Sequence, residues 1–125
     1  MVISIGIDLV EIARIEQALT RFGDRFVRKL MDLEEASRLP ETPGQRVLAL
    51  AFAVAAKEAA SKALGTGWSQ GVRWRDVVVV AGPAAGLRLD GGAAVAARRL
   101  GSGGRARLRL ERRGGLAIAE AWLLS

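Results

Sequence analysis

The chain has 125 residues, half of them hydrophobic, which suits one domain with a buried core. It contains no cysteine, which excludes a disulfide framework and favours a reducing compartment, and no histidine, which removes the usual general base and transition-metal ligand. A bound metal should therefore be a hard ion held by oxygen. The formal net charge of +6 favours an anionic partner: nucleic acid, an acidic protein or a phosphorylated small molecule.

The N-terminal region does not resemble a targeting segment. An aspartate stands at position 8, and no basic leader precedes it. The longest apolar run, residues 47–56, is too short to span a bilayer. We therefore predict a soluble, cytoplasmic protein with no membrane partner.

Residues 2–8 alternate between two classes of side chain. Ser4, Gly6 and Asp8 share one face, and the isoleucines at positions 3, 5 and 7 share the other. A period of two is typical of a β-strand. The segment is predicted to be a half-buried strand that carries Asp8 at its end.

Helical segments follow this strand. Residues 11–22 place apolar side chains at helical spacing with charges opposite, and Gly23-Asp24 interrupts that helix before a short turn. Asp32 followed by Glu35 is typical of a capping box, so another short helix is predicted to begin there. Residues 40–44 contain two prolines and a glycine and are predicted to form a loop.

The longest predicted helix runs over residues 46–64 and is rich in alanine. Gly65 stands where a left-handed cap is least strained, so the helix should end there. The remaining predicted elements are a strand at 72–80, a turn at 81–86, a strand at 87–89, a helix at 92–100 and a hairpin whose strands at 106–111 and 116–124 flank a Gly-Gly turn. This order predicts an α+β fold, a small single domain over residues 1–125 with the long helix packed on an antiparallel sheet.

The alanine-rich helix carries two of the three lysines of the chain, Lys57 and Lys62, together with Glu58. Magnesium is held by one or two carboxylates, with phosphate and water completing its shell, and Asp8 and Glu58 could supply both if strand and helix abut. Lys62 lies one turn beyond Glu58 and could neutralise phosphate charge, while residues 65–67 offer backbone amides. The alternative is a solvated ion pair between Glu58 and Lys62, worth roughly 0.3–0.5 kcal/mol.

Three segments carry a resemblance to a known family: G-I-D-L-V-E-I-A-R-I at 6–15, A-A-K-E-A-A-S-K-A-L-G-T-G at 55–67 and V-R-W-R-D-V at 72–77. Taken together and in order, they resemble the bacterial holo-acyl-carrier-protein synthases, which are 4′-phosphopantetheinyl transferases. The resemblance implies Mg²⁺-dependent transfer of the 4′-phosphopantetheine group from coenzyme A to a serine of apo acyl carrier protein. It implies release of adenosine 3′,5′-bisphosphate, a role in fatty acid biosynthesis, and a homotrimer with active sites between subunits.

The resemblance also implies roles for individual residues. Asp8 and Glu58 become the Mg²⁺ ligands and, together with Lys62, the catalytic residues. The serine proton is expected to pass to metal-bound water or directly to a carboxylate. The residues expected to bind coenzyme A are Ser61, Lys62, Gly65, Thr66, Gly67 and Arg112.

Three positions depart from the pattern of this family. Residues 53–54 are Ala-Val where the family has Arg-Phe, residues 83–85 are Pro-Ala-Ala where it has Gly-Lys-Pro, and residues 111–112 are Glu-Arg where it has Ser-His. These positions are associated with coenzyme A contact or the trimer interface, so the affinity for coenzyme A is the property most affected. A non-catalytic relative of the family is therefore an alternative.

A basic face is predicted on the first helices, where Arg14, Arg21, Arg25 and Arg28 would align if the helix were unbroken. A solvated charged face would look the same. The resemblance implies docking of an acidic carrier protein on the first helix. It assigns this role to Arg14, Arg21, Arg25 and Phe26.

The arginine-rich segment at 105–115 allows a rival interpretation, a basic RNA-binding domain with this segment as its tail. Its strict alternation with Leu108 and Leu110 instead favours a structured strand, and few aromatic side chains are present for base stacking. We therefore predict no nucleic-acid partner and keep RNA binding as the alternative function.

Overall fold

A computed structural model describes residues 1–80 and 86–125. The elements in chain order are β1 (Val2–Glu11), α1 (Ile12–Phe22), α2 (Asp24–Leu30), α3 (Leu33–Ser37), α4 (Pro43–Leu64), a 3₁₀ turn (Trp74–Asp76), β2 (Val77–Val80), β3 (Gly86–Leu89), α5 (Gly91–Arg99), β4 (Arg105–Arg113) and β5 (Leu116–Leu124). The predicted order of elements is confirmed with two corrections. Residues 24–30 form helix α2 where a short turn was predicted, and the strand predicted over 72–80 begins only at Val77, because residues 74–76 form the 3₁₀ turn. The predicted turn at 81–86 lies outside the described residues except for Gly86, which begins β3.

The five described strands form one antiparallel sheet in the order β1-β5-β4-β3-β2. Helix α4 lies across one face of this sheet and packs mainly on β1 and β5. The predicted α+β fold is therefore confirmed. Within the described residues, no helix has both the length and the hydropathy that crossing a membrane requires.

Helix α4 is longer than predicted because Pro43 occupies its first turn, where a missing N–H costs nothing. It ends as predicted at Gly65, whose φ of 75° is the left-handed conformation that glycine adopts without strain. Its buried side is made largely of alanine. Small side chains let the helix axis approach the sheet closely, which brings the charged residues of α4 near β1.

Strand β1 packs on α4 with its polar face. The Ser4 hydroxyl donates to the carbonyl oxygen of Ala63 at 2.5 Å, and Gly6 is buried against the helix. The aliphatic face is the open one, since Ile5, Ile7 and Leu9 are 48%, 57% and 56% exposed. A half-buried strand is therefore confirmed, but the buried face carries the small and polar residues.

Strand β4 is an interior strand, paired with β3 on one side and β5 on the other. Ala106 and Leu108 point into the core, and the alternate arginines at 105, 107 and 109 are exposed. The segment is thus the structured strand that its alternation predicts. A flexible basic tail is not what these residues form.

Candidate active site

The centre of the candidate site is an ion pair between β1 and α4. The Nζ atom of Lys62 lies 2.8 Å from Oδ1 of Asp8, and Glu58 lies one helical turn from Lys62 on α4. The Asp8 side chain is 20% exposed and that of Lys62 is 54% exposed, so the pair opens to solvent. The structure therefore brings together the three residues predicted to be catalytic.

Two details of the site differ from the sequence interpretation. Asp8 lies inside β1, which continues to Glu11, and it faces α4 from the interior of the strand. Lys62 pairs with Asp8, whereas the Glu58 carboxylate makes no hydrogen bond or ion pair in the part of the chain that the structure describes. The simple Glu58–Lys62 helix pair is therefore wrong. Periodicity along one helix cannot reveal a partner that comes from a strand.

The ion pair changes the proton affinity of Lys62. The hydrogen bond to Asp8 and the negative charge of Asp8 raise the pKa of Lys62 above its usual value, and the charge of Glu58 adds to this effect. Lys62 is therefore an ammonium at neutral pH. With two carboxylates and one ammonium, the cluster has a formal net charge of −1, so it suits a cation, and Lys62 is its hydrogen-bond donor toward an anionic group such as a phosphate.

The donor set fits a hard metal ion only in part. Among residues 1–80 and 86–125, no group of three or more carboxylate, histidine or cysteine side chains converges on one point. Two carboxylates alone form an incomplete shell for magnesium, but they match a site that a substrate phosphate and water complete. Asp8 and Glu58 fit this chemistry, since both are oxygen donors and both lie beside Lys62.

The segment after α4 is more fully engaged than predicted. The N–H of Gly65 donates to the Lys62 carbonyl oxygen at 3.0 Å, and the N–H of Gly67 donates to that of Ser61 at 3.2 Å. The prediction of free amides is therefore wrong for both glycines, because these amides cap the helix. Within the described residues, the N–H of Thr66 donates to no group.

The side chains of two other residues predicted to bind coenzyme A make no hydrogen bond to the ion pair among the described residues. Ser61 is buried, and its hydroxyl donates to the Glu58 carbonyl oxygen at 2.8 Å. Arg112 is exposed near the β4–β5 turn, where its Nε donates to the Gly114 carbonyl oxygen at 3.0 Å. Neither side chain hydrogen-bonds to Asp8 or Lys62, and the assignment of both residues to coenzyme A stays a prediction.

Lys57, the other lysine of α4, has a structural role. It is fully buried, and its Nζ donates to Glu35 Oε1 at 3.0 Å, to the Trp74 carbonyl oxygen at 3.1 Å and to the Val77 carbonyl oxygen. The other oxygen of Glu35 accepts the N–H of Val79 at 3.0 Å. Burial lowers the pKa of Lys57, and the charge of Glu35 opposes that shift. Lys57 therefore joins α4 to α3 and β2 and takes no part in the open site.

The ion pair of Glu35 with Lys57 also explains why the capping box predicted at Asp32 and Glu35 is incomplete. Asp32 is the N-cap of α3, as expected, and accepts the N–H of Glu35 at 2.7 Å. The Glu35 side chain does not return to the cap, because it turns inward to Lys57. Only half of the capping box is formed.

A groove of about 470 Å³ lies between α1, α2 and α4, and its lining is mostly apolar. Of the residues predicted to bind a carrier protein, Arg25 and Phe26 line it. Arg14 and Arg21 lie on exposed positions of α1, but Gly23 separates α1 from α2, so the arginines do not share one continuous helix face. The complete lining is Ile15, Ala18, Phe22, Arg25, Phe26, Lys29, Leu30, Val54 and Trp74.

Trp74 is a wall residue of this groove that the sequence interpretation missed. Its ring stacks on that of Trp68, with centroids 3.9 Å apart and planes 20° from parallel. Its carbonyl oxygen accepts a hydrogen bond from Lys57. A tryptophan immediately before a strand gives no indication that it faces a groove made by distant helices.

The fold and the site define a class of protein: a small α+β domain with two carboxylates and an ammonium group at a strand–helix junction. Comparison with known proteins narrows this class. Residues 4–116 match the family model described as the 4′-phosphopantetheinyl transferase superfamily. The chain is 43% identical over 127 residues to a holo-[acyl-carrier-protein] synthase of Methylobacterium sp. (strain 4-46), a match that covers 99% of this chain and 93% of the relative.

Solved structures agree with this match. The holo-[acyl-carrier-protein] synthase of Neisseria meningitidis superposes with a TM-score of 0.84 at 28% identity, over all of both chains. That of Helicobacter pylori, solved in complex with coenzyme A, superposes with a TM-score of 0.79 at 26% identity, over 96% of this chain and 99% of the other. The chain belongs to the 4′-phosphopantetheinyl transferase superfamily, which confirms the resemblance on its motifs and makes it a transferase.

Proposed function

We propose that residues 1–125, acting as one domain, transfer the 4′-phosphopantetheine group of coenzyme A to a serine of an acyl carrier protein. The observation that carries this proposal is the convergence of Asp8, Glu58 and Lys62 at the junction of β1 and α4. The synthase relatives and the coenzyme A complex of the Helicobacter pylori structure support it. The modified carrier protein would serve fatty acid biosynthesis, and the reaction would take place in the cytoplasm.

In the proposed reaction, the serine oxygen forms a bond to the phosphorus atom attached to the pantetheine. The bond from that phosphorus to the bridging diphosphate oxygen breaks, and the bridging oxygen leaves with adenosine 3′,5′-bisphosphate. The serine gives up its proton. Charge therefore develops on the transferred phosphoryl group and on the leaving oxygen, and cationic groups lower the barrier by stabilising it.

Asp8 and Glu58 would hold a magnesium ion, which would supply positive charge to the diphosphate when bound. Lys62 would donate to the phosphate oxygens, since its side chain is exposed and its ammonium reaches across the junction. The Glu58 carboxylate has no hydrogen-bonding partner among the described residues, so an oxygen of it that does not hold the metal would be available to the serine proton. The chain has no histidine to take that role.

The groove between α1, α2 and α4 is the proposed docking place for an acidic carrier protein. Its apolar floor suits an aliphatic or aromatic side chain of the partner, while Arg25 and Lys29 at its edge suit acidic ones. Val54 belongs both to the groove and to α4, one turn before Glu58. A partner seated there would therefore be close to the proposed catalytic residues.

The open face of the sheet is the proposed assembly surface of a homotrimer. Ile5, Ile7 and Leu9 form an exposed aliphatic row on β1. In the sheet register, Ile7 lies opposite Glu120 of β5, and Glu120 lies opposite Arg109 of β4, so the face passes from apolar to charged. Two such different patches on one chain suit the head-to-tail contact that builds a ring, and the proposed active sites would lie between subunits.

The test is transfer itself, followed as the gain of the phosphopantetheine mass on an apo carrier protein incubated with coenzyme A and Mg²⁺. We expect the wild-type chain to modify the carrier, and Asp8→Asn and Glu58→Gln to fail. Glu41→Gln, an exposed carboxylate in the loop before α4, is the control and should be active. No mass gain with several carrier proteins would leave a non-catalytic relative as the better account.

A further inference from the structure

In the absence of substrate, Lys62 is paired with one of the two carboxylates proposed to hold the metal. Its ammonium donates to Asp8 at 2.8 Å, and Glu58 stands one turn away without a partner of its own among the described residues. One of the two carboxylates that would hold magnesium is therefore already paired with a cation. The other lies close enough for its charge to act on Lys62.

We propose that Lys62 also blocks the metal site until a phosphate-bearing substrate draws its ammonium away from Asp8. This inference rests on the proposed function. An ammonium beside the site repels a divalent cation and competes with it for the same carboxylate oxygen. The substrate-free chain should therefore bind magnesium weakly, for a reason additional to the small number of its ligands.

The Lys62 side chain has the freedom that this exchange requires. Its stem is long and flexible, its three N–H donors rotate freely, and more than half of its side chain is exposed. A diphosphate bound beside α4 offers several charged acceptors in place of one carboxylate oxygen. Once Lys62 turns to the phosphate, both Asp8 and Glu58 face the metal position with their full charge.

This arrangement makes the binding of metal and of coenzyme A cooperative, and Lys62 is the source of part of the coupling. By thermodynamic linkage, coenzyme A must strengthen metal binding by the same factor by which metal strengthens coenzyme A binding. A variant without the ammonium should bind metal more tightly by itself. It should also show a smaller coupling factor, because substrate no longer has a blocking group to remove.

The experiment is calorimetric titration of Mg²⁺, or of Mn²⁺ in its place, into the whole chain with and without saturating coenzyme A. No carrier protein is added, so no turnover occurs. We expect Lys62→Met to bind the metal alone roughly tenfold more tightly than wild type, the size expected for removing one nearby charge in a solvated site. The ratio of metal affinities with and without coenzyme A should fall by a similar factor.

Two variants serve as controls. Lys62→Arg keeps a cation at the position and should bind metal as wild type does. Arg99→Met removes one positive charge from an exposed position near the end of α5 and should leave metal binding unchanged. Circular dichroism of each variant establishes that it is folded before titration.

The outcomes separate this inference from the proposed function. Unchanged or weaker metal affinity in Lys62→Met, or an undiminished coupling factor, overturns the role of Lys62 even if the chain transfers phosphopantetheine. Absence of metal binding to wild type in the presence of coenzyme A, together with absence of transfer, overturns the proposed function instead. Tighter metal binding by Lys62→Met with reduced coupling supports the inference.

Discussion

A Cβ atom built on Gly6 would lie 1.8 Å from the carbonyl oxygen of Ala59, so β1 and α4 can meet only because residue 6 has no side chain. The contact is with helix backbone, which has no flexible end that could move aside. Asp8 stands two residues further along the same face of β1, and Lys62 stands three residues beyond Ala59. The absence of one methyl group therefore determines the distance between the proposed catalytic residues.

We expect Gly6→Ala to lower the free energy of unfolding by at least 1–3 kcal/mol, roughly the cost of overpacking a rigid contact. The same change should separate Asp8 from Lys62 and reduce transfer more than the loss of stability explains. Gly44→Ala is the control, since a Cβ there meets nothing within 4 Å and alanine favours helix. Urea denaturation and the transfer assay measure the two effects, and a stable, active Gly6→Ala chain would contradict the account.

The Glu35–Lys57 pair gives a prediction about the core. Lys57→Met leaves the Glu35 carboxylate buried without its cation, which should cost about 3–5 kcal/mol of unfolding free energy. Glu35→Gln alone should also destabilise, because Lys57 then keeps a charge without a counterion. The double variant should be more stable than the sum of the two losses indicates. A double-mutant cycle in urea gives the coupling energy, and strict additivity would show that the two residues act independently.

The three lysines should differ in their reaction with an amine-acylating reagent. Only a neutral amine reacts, so the raised pKa of Lys62 should slow its acylation relative to exposed Lys29 at the same pH. Lys57 should not react in the folded chain because it is fully buried, although burial lowers its pKa. Asp8→Asn removes the main cause of the Lys62 shift and should speed its acylation. Peptide mass spectrometry after partial labelling gives the three rates, and an early reaction at Lys57 would refute its burial.

Carrier docking in the α1–α2 groove predicts a selective kinetic effect. Arg25→Glu places a negative charge on the wall of that groove and should raise the KM for carrier protein several-fold while changing the KM for coenzyme A little. High salt should reproduce the effect in wild type, because exposed charges are screened beyond roughly 10 Å at about 0.1 M ionic strength. Arg99→Glu is the control of equal charge change. Equal shifts in both KM values would show that Arg25 does not belong to the docking surface.

The open sheet face predicts the assembly state. Ile7→Glu introduces a charge into the most exposed part of the aliphatic row on β1 and should convert the proposed trimer into smaller species. Val95→Glu changes another exposed apolar residue, on α5, and should leave the assembly intact. Sedimentation velocity distinguishes the species. If wild type itself sediments as a monomer, the proposed assembly surface is wrong.

Sequence patterns were most reliable where the physics is local. The end of α4 at Gly65, the N-cap at Asp32 and the hairpin around residues 114–115 each depend on a few adjacent residues, and each was predicted correctly. Alternation likewise predicted that β1 has two unlike faces. It could not tell which face is buried, because this depends on the alanines of a helix more than forty residues away.

The sequence allowed the residues of the site to be predicted, but not which of them contact each other. Asp8 and Glu58 were identified as carboxylates that a metal could use, and Lys62 as a phosphate-binding cation. The actual pairing of Lys62 with Asp8 joins residues 54 positions apart, and the burial of Lys57 depends on acceptors in α3 and before and within β2. Such partners arise from tertiary structure, which local periodicity does not encode.

The pairing of β1 with β5 delays the completion of the sheet while the chain is being synthesised. The first strand in chain order lies at the edge of the sheet, and its hydrogen-bonding neighbour is the last, with Val2 opposite Leu124. During synthesis, β1 must remain without this strand partner until β5 has left the ribosome, and contacts of such long sequence separation slow folding. In that interval its aliphatic residues and unpaired backbone are both accessible, so the nascent chain is most exposed to aggregation and chaperone capture just before β5 emerges.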